Sequence, residues 1–160
     1  MQVQKQKEHE WLHKLIGSWT FDAEASMSPG QAPEHSKGAE VVRSLGGLWV
    51  LAEGEGEMPG CGPATSLMTL GFDTRTKRFT GTWIGSMMTH LWVYDGVLNE
   101  AGTILTLESR GPAMKDQSQL ALYRDVLEIV NDDHRTLTSH HLDDEGNWHA
   151  FMLANYRRTK

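Results

Sequence analysis

The feature that most constrains the fold of this chain is an alternation of apolar or small residues with polar ones, repeated between short turns. In SWTFDAEASM, for example, Trp19, Phe21, Ala23, Ala25 and Met27 lie on one side of an extended chain and polar residues on the other. A period of two is typical of a β-strand with one buried face. The pattern predicts ten strands, at 18–27, 36–45, 47–57, 64–73, 77–87, 90–98, 103–110, 119–130, 134–142 and 147–157.

The segments between these runs are short and rich in Gly, Pro, Asp and Asn, as in SPGQAP, MPGCGP and DDEGN. Such residues favour turns, and no segment is long enough for the helix that joins parallel strands. Neighbouring strands should therefore pair antiparallel in sequence order. Because a long open sheet leaves unpaired edges, we predict that the strands close into one mostly β, up-and-down barrel domain spanning residues 1–160.

One segment has a helical period instead. In KQKEHEWLHKLIG, the residues Trp11, Leu12, Leu15 and Ile16 are spaced by one, three and one positions, and Gly17 follows as a stop signal. We expect one short N-terminal helix that covers a mouth or a flank of the barrel.

Composition argues against several classes of function. The 160 residues carry a formal net charge of -6 with scattered basic residues, which argues against a nucleic-acid-binding surface. No apolar run approaches the ~20 residues of a membrane span, and MQVQKQKEHE lacks the apolar stretch of a secretory signal. The single cysteine, Cys61, excludes an intramolecular disulfide. We expect a cytoplasmic protein with no cofactor, no nucleic-acid partner and no membrane partner.

Five sequence blocks, in this order, resemble one bacterial family: LHKLIGSWTFDAEASMSPG, SKGAEVVRSLGGLWVLAEGEGEMPG, TLGFDTRTKRFTGTWIGSM, LWVYDGVL and YRDVLEI. The family is catalogued as domain of unknown function 1579, and the resemblance covers residues 8–158. It implies a lipocalin-like (calycin-type) barrel with no established biochemical activity. Gly85 stands where we expect an acidic residue in the family, so a carboxylate role at that position is not carried over.

The segment TWIGSMMTHLWVYDG, residues 82–96, is the strongest candidate for a binding surface. Alternation places large side chains on one face of each of its two strands, and glycines within a strand often mark a place where a ligand approaches the backbone. Aromatic residues and methionines with a few polar groups are typical of small-molecule pockets, although small barrels also fill with their own side chains. We predict that a small apolar or aromatic ligand contacts Trp83, Met87, His90, Trp92, Tyr94, His140 and Tyr156.

The histidines near the C-terminal end suggest a second site. The turn DDEGN should place His141 opposite His149 in a hairpin. Two imidazoles could begin a zinc site, but the sequence supplies no third ligand of matching alternation, so we predict no bound metal. His140 falls on the other face with Trp148 and Tyr156, and the pattern indicates that this face is the interior.

Arg124, in YRDVLEIV, has two interpretations because neither face of this strand is clearly apolar. Inside the barrel, it could clamp a ligand carboxylate with two hydrogen bonds. Beside Glu128, it would only form a surface ion pair.

Two other functions remain open. An enzyme, an isomerase or hydrolase, would use His90 or His140 as the base and Tyr94 as the acid. A filled barrel would instead serve as an interaction module that forms a homo-oligomer through exposed apolar residues such as Phe151 and Leu153. The volume of the interior distinguishes these functions, since ligand binding and catalysis both need an open cavity.

Overall fold

In the computed structural model, ten β-strands follow one short helical segment. The structure describes residues 3–26, 30–58 and 62–160, and it describes Met58 by its backbone alone. Met27 and Cys61 therefore lie outside the described residues. The helical segment consists of α1, Lys7–Leu12, and a 3₁₀ turn, His13–Leu15. The strands are β1 Gly17–Ala25, β2 Glu34–Leu45, β3 Trp49–Met58, β4 Gly62–Asp73, β5 Arg78–Gly85, β6 Trp92–Leu98, β7 Ile104–Pro112, β8 Leu120–Asn131, β9 His134–Leu142 and β10 Trp148–Arg158.

Every strand pairs antiparallel with the next, and β1 also pairs antiparallel with β10, so the sheet closes into a barrel. The closing register begins at the pair Trp19 and Arg158 and ends at the pair Ala25 and Met152. The predicted meander, its closure and the N-terminal helix are confirmed. The strand ends differ from the predicted bounds by no more than a residue or two.

The turns contain residues that adopt the left-handed backbone region. The β2–β3 connection places Gly46 and Gly47 at φ values of 65° and 77°, where a side chain would introduce strain. In the β4–β5 connection Lys77 adopts a φ of 59°, and Asp73 accepts a hydrogen bond from the backbone N–H of Arg75 at 2.8 Å. These local features fix the ends of the hairpins and hence the strand register.

The helical segment closes the end of the barrel at which β2, β4 and β6 finish. Trp11 Nε1 donates a hydrogen bond to the carbonyl of Gly102 at 2.7 Å, in the β6–β7 connection. Leu12 and Leu15, which are 1% and 3% exposed, insert into the core. We call this the capped end, and we call the opposite end, where β1, β3, β5, β7 and β9 finish, the distal end.

Buried apolar side chains are concentrated towards the capped end. They include Trp11, Leu12, Leu15, Trp19, Val42, Val50, Leu70, Phe79, Leu105 and Leu127. Burying apolar surface stabilises by about 25 cal/mol per Å², so this cluster holds the helix against the barrel. Among the described residues no helix covers the distal end, and none is long and apolar enough to cross a membrane.

A β-bulge interrupts β10 near the distal end. The register with β9 changes between Ala150 and Met152, so that Phe151 is an extra residue. A bulge breaks the period of two along a strand. Consequently Trp148 and Ala150 face outward, whereas Met152 and Tyr156 face inward.

Candidate functional site

The interior of the distal half has walls of unequal bulk. Directly paired residues on neighbouring strands point to the same face, so the register identifies the inward positions. On β1–β4 most of these positions carry small residues, namely Ala23, Ser36, Gly38, Ala52, Gly54, Gly56, Ala64 and Ser66. On β5–β8 they include Trp83, Trp92 and Tyr123. We call the space between these two walls the lumen.

Side chains beside the lumen keep accessible surface although they face the inside of the barrel. Asp125 lies deep in the protein. Even so, Asp125, Met68 and Met152 each keep part of their surface accessible to solvent. By contrast Leu107, the cross-strand partner of Asp125, is 0% exposed. The side chains beside the lumen are therefore covered less completely than the core around Leu107.

An aromatic cluster lies at the distal rim of the lumen. The Trp92 ring covers the backbone of Gly111, where a Cβ atom would come within 2.1 Å of the indole. The same ring makes edge contacts with His90 and Tyr123, with centroids 4.8 Å and 4.9 Å away. His90 Nε2 donates a hydrogen bond to the carbonyl of Arg110 at 2.8 Å. These contacts fix the orientation of Trp92 in the wall.

Trp83 and Met87 form the neighbouring part of the rim. A Cβ atom at Gly85 would lie 2.6 Å from the Trp83 ring and 2.5 Å from the Met87 sulfur, so both side chains fold over this glycine. Trp83 pairs with Trp92 across β5 and β6, and both indoles are half-buried. The absence of a side chain at Gly85 leaves room for this contact.

Two polar clusters lie deeper in the lumen, and the first is centred on Asp125. Tyr94 Oη donates to Asp125 Oδ2 at 2.6 Å, and Ser139 Oγ donates to Asp125 Oδ1 at 2.7 Å. Burial raises the pKa of Asp125, while the two hydroxyl hydrogen bonds and His140 oppose this rise. Burial and the Asp125 charge raise the pKa of Tyr94 well above its usual range. Tyr94 therefore remains a hydrogen-bond donor at neutral pH.

The second polar cluster is centred on Arg135, whose side chain is 5% exposed. Its Nη2 donates to Glu40 Oε1, and its guanidinium carbon lies 4.7 Å from the ring centroid of Trp19 and 4.0 Å from that of Tyr156. Arg135 Nε has no hydrogen-bond partner among the described residues. Burial, followed by the charge of Glu40, raises the pKa of Tyr156. The ion pair adds no net charge to the interior.

A pair of histidines lies at the distal end of β9 and β10, at the positions that the turn pattern predicts. The rings of His141 and His149 stack with centroids 5.3 Å apart, and His149 Nε2 pairs with Asp143 Oδ2 at 2.6 Å. Burial and then His149 lower the pKa of His141, and the backbone N–H of Asn147 is the main cause that lowers the pKa of Asp143 to about 2. Within the described residues no three ligating side chains converge into a metal site.

The seven residues predicted to contact a ligand do not all lie on one surface. Trp83, Met87, His90 and Trp92 lie at the rim of the lumen, and Tyr94 and Tyr156 lie deeper, whereas His140 faces outward. Contact of the first six with a ligand stays a prediction.

The predicted interior position of His140 is wrong. In the observed register His140 pairs with Arg124 on one side and Ala150 on the other, and all three side chains share the outer face of the sheet. The prediction assumed an uninterrupted period of two along β10. The bulge at Phe151 breaks that period and reverses the face.

Arg124 also lies on the outer face. Its Nη2 donates to Glu108 Oε1 at 2.7 Å, and its guanidinium lies 4.1 Å from the ring centroid of Trp148. The surface ion pair that the sequence suggested is therefore present, but its acidic partner is Glu108 and not Glu128. The barrel does hold a buried arginine, which is Arg135.

Four polar residues of the lumen were not predicted from the sequence, namely Glu40, Asp125, Arg135 and Ser139. A signal was present for Arg135, because it alternates with Leu137 and Ser139, and an arginine in phase with an apolar residue is a candidate for burial. The signal is weak because the opposite face of the same strand carries histidines and threonines.

The acid–base pair of the enzyme alternative is not assembled. Tyr94 donates its hydroxyl hydrogen to Asp125, and His90 Nε2 donates to a backbone carbonyl. No hydrogen bond joins Tyr94 to His90 or His140 in the part of the chain that the structure describes.

A groove on the outer face of the barrel is separate from the lumen. It crosses β2–β5, has a volume of about 740 Å³, and its lining includes Val41, Leu67 and Ile84 beside Glu53 and Glu55. The groove is wide and open to solvent, and two carboxylates border it. Since small-molecule sites usually enclose most of the ligand's surface, we place the candidate site in the lumen.

The fold and the lumen define a class, the helix-capped antiparallel up-and-down barrels of the lipocalin-like kind with polar groups inside. Within this class the chain belongs to the family described as "Protein of unknown function (DUF1579)", whose family model matches residues 4–158. The match confirms the resemblance found in the sequence and brings no activity with it. A comparison with curated proteins gave no match.

Solved structures share the fold at low sequence identity. Rv2717c from M. tuberculosis superposes with a TM-score of 0.66 at 14% identity, over 98% of this chain and 100% of that chain. The S-type phycobiliprotein lyase CPES from Guillardia theta gives a TM-score of 0.60 at 14% identity, over 99% of each chain. EF1p2_mFAP2b bound to DFHBI gives 0.51 at 9% identity, over 95% of this chain and 99% of that chain. Identities this low show the fold alone.

Proposed function

We propose that this chain binds a small apolar or aromatic molecule in the lumen of the barrel. The observation that carries the proposal is the accessible surface that inward-facing residues, Asp125 and Met68 among them, retain inside a closed barrel. A barrel filled by its own side chains would bury those residues as completely as it buries Leu107.

The number of strands and the size of the inward side chains both favour an open lumen. A ten-stranded barrel is wider than the eight-stranded barrels that side chains just fill. Large apolar residues occupy the width near the capped end. In the distal half glycine, alanine and serine occupy most inward positions of β1–β4, with the Phe21 ring lying over Gly38 and Gly56. We therefore expect space in front of the opposite aromatic wall.

The residues of the rim suit an aromatic or apolar guest. Trp83 and Trp92 offer large half-buried ring surfaces, and the unbranched Met87 side chain adapts to irregular shapes. Tyr94 and Ser139, deeper in the lumen, supply the small number of polar atoms that typically orient a bound molecule.

Two of the solved structures with this fold support the proposal by analogy. One is a phycobiliprotein lyase, and the other is EF1p2_mFAP2b bound to DFHBI. The shared fold is compatible with a ligand in the barrel, and the lumen described above supplies the reason specific to this chain.

A thermal-shift screen of fatty acids, aromatic acids, haem and flavins tests the proposal. A compound that binds only the folded state stabilises it by ~2.7 kcal/mol at a hundredfold excess over its Kd, so a true ligand raises the melting temperature in a concentration-dependent way. If no compound in the screen shifts the melting temperature, the proposed function is wrong.

A matched pair of tryptophan variants locates the binding site of any hit. Trp92→Ala removes an indole from the rim, whereas Trp49→Ala removes one from the outer face, where the side chain lies over Gly71 and is 40% exposed. We expect Trp92→Ala to weaken binding at least tenfold and Trp49→Ala to leave the Kd unchanged. Equal weakening by both variants would place the ligand outside the lumen.

A further inference from the structure

The charges inside the lumen do not balance. Glu40 and Arg135 form an ion pair and cancel each other. Asp125 forms no ion pair with a lysine or arginine among the described residues, and its hydrogen-bond donors, Tyr94 and Ser139, are both neutral hydroxyls. Within the part of the chain that the structure describes, Asp125 is thus an inward carboxylate of the deep lumen without a lysine or arginine partner, and His140 acts on it from the outer face of the sheet.

The Asp125 carboxylate still has acceptor capacity. An ionised carboxylate offers about four lone-pair positions, and each Asp125 oxygen accepts one hydrogen bond in this structure. The side chain also keeps accessible surface inside the barrel, although its neighbour in the sheet, Leu107, has none. A donor on a bound molecule can therefore reach it from the lumen.

The wall between the rim and Asp125 is aromatic. Tyr123 lies two residues before Asp125 on the same inward face, and Trp92 packs edge-on against Tyr123 at 4.9 Å. The faces of tyrosine and tryptophan rings attract a cation through the negative potential above the ring. A positively charged group entering past the rim thus meets favourable surfaces before it meets the carboxylate.

We propose that the lumen selects an aromatic or apolar molecule that carries a protonated nitrogen, and that this nitrogen pairs with Asp125. The proposal rests on the proposed function, since it names the chemical class of the ligand that the lumen takes. Its physical basis is the cost of the unpaired carboxylate. Burial disfavours the charged form of Asp125 and raises its pKa, and a bound cation with N–H donors removes that penalty.

Three naphthalene probes of nearly equal size separate charge from hydrophobicity. They are 1-naphthylmethylamine, which is cationic at pH 7, 1-naphthalenemethanol, which is neutral, and 1-naphthoate, which is anionic. Isothermal titration calorimetry of the wild-type chain should give a Kd for the amine at least tenfold below that of the alcohol, with the naphthoate binding weakest. In Asp125→Asn we expect amine and alcohol to bind equally, with the alcohol within twofold of wild type.

Asp95→Asn is the matched control, because it makes the same chemical change on the outward face of β6, where Asp95 pairs with Arg78. This variant should keep the wild-type preference for the amine. Tyr94→Phe provides a second test that keeps the carboxylate and frees Oδ2, and it should preserve or increase the preference for the amine.

The outcomes distinguish this proposal from the proposed function. If amine and alcohol bind the wild-type chain equally well, the inference about Asp125 is wrong while small-molecule binding stands. If Asp95→Asn and Asp125→Asn lose the preference for the amine equally, the effect comes from surface charge and the inference is wrong. Loss of the preference for the amine in Tyr94→Phe would also overturn the inference. If none of the three probes binds, the inference is overturned together with binding of this class of molecule.

Discussion

Substituting Arg135 by methionine should strongly destabilise the barrel. The side chains of Arg135 and Glu40 are 5% and 13% exposed, so their ion pair is almost completely buried. Removing the guanidinium leaves the Glu40 carboxylate inside the protein without a cation, and breaking a buried pair in this way typically costs about 3–5 kcal/mol. Methionine keeps most of the apolar contact with Trp19 and Tyr156, so we expect the loss to lie within that range.

The double variant Arg135→Met with Glu40→Leu isolates the cause. Replacing both partners removes the orphaned charge, and well-packed apolar substitutes for buried ion pairs are often neutral or stabilising. We therefore expect the double variant to recover at least half of the stability that Arg135→Met loses. If the loss came from packing alone, the second substitution would add to it.

The free energy of unfolding of each variant is measured by urea denaturation with tryptophan fluorescence as the signal. Trp19 reports on the site because its ring lies 4.7 Å from the guanidinium. The control is Arg43→Met, which breaks the exposed pair between Arg43 and Glu53, whose side chains are 56% and 60% exposed. Exposed pairs contribute about 0–1 kcal/mol. If Arg135→Met costs no more than Arg43→Met, the burial argument is wrong.

Two further predictions concern the rim and the β9–β10 turn. Gly111→Ala should displace the Trp92 indole, because the new Cβ would lie 2.1 Å from it; we expect a changed near-ultraviolet circular dichroism spectrum and a loss of ~1–3 kcal/mol, and an unchanged spectrum would contradict the described contact. Asp143 has a pKa of about 2, lowered chiefly by the backbone N–H of Asn147, so it stabilises the fold above pH ~4 and loses this effect as the pH falls towards 2. The unfolding free energy of Asp143→Asn should therefore fall less steeply between pH 4 and pH 2, and parallel curves would refute the assignment.

The strands and the barrel could be predicted from sequence because their signals are local. Each hairpin combines a period of two with a turn rich in glycine or aspartate, as at Gly46 and Gly47, and short connections allow only antiparallel neighbours. Closure then follows from the need to pair the outer edges of the sheet.

The polar interior could not be predicted because it depends on contacts far apart in sequence. Glu40 and Arg135 are separated by 95 positions, and no local pattern links them. The bulge at Phe151 has no sequence signature that we recognise, and it reversed the assignment of His140. Asp125 was ambiguous because polar residues occupy both faces of its strand.

The closing pair of strands has a consequence for the chain as it is being made. β1 and β10 are neighbours in the barrel, but of the ten strands β1 is synthesised first and β10 last. At ~5–20 residues per second, synthesis from one to the other takes on the order of ten seconds, and for all that time one edge of β1 has no partner. An unpaired edge can join another nascent chain. Asp22 and Glu24 are exposed on β1, and Glu24 lies 3.5 Å from His35 Nδ1 on the neighbouring β2. Their carboxylates place repelling charge along this edge until β10 is made.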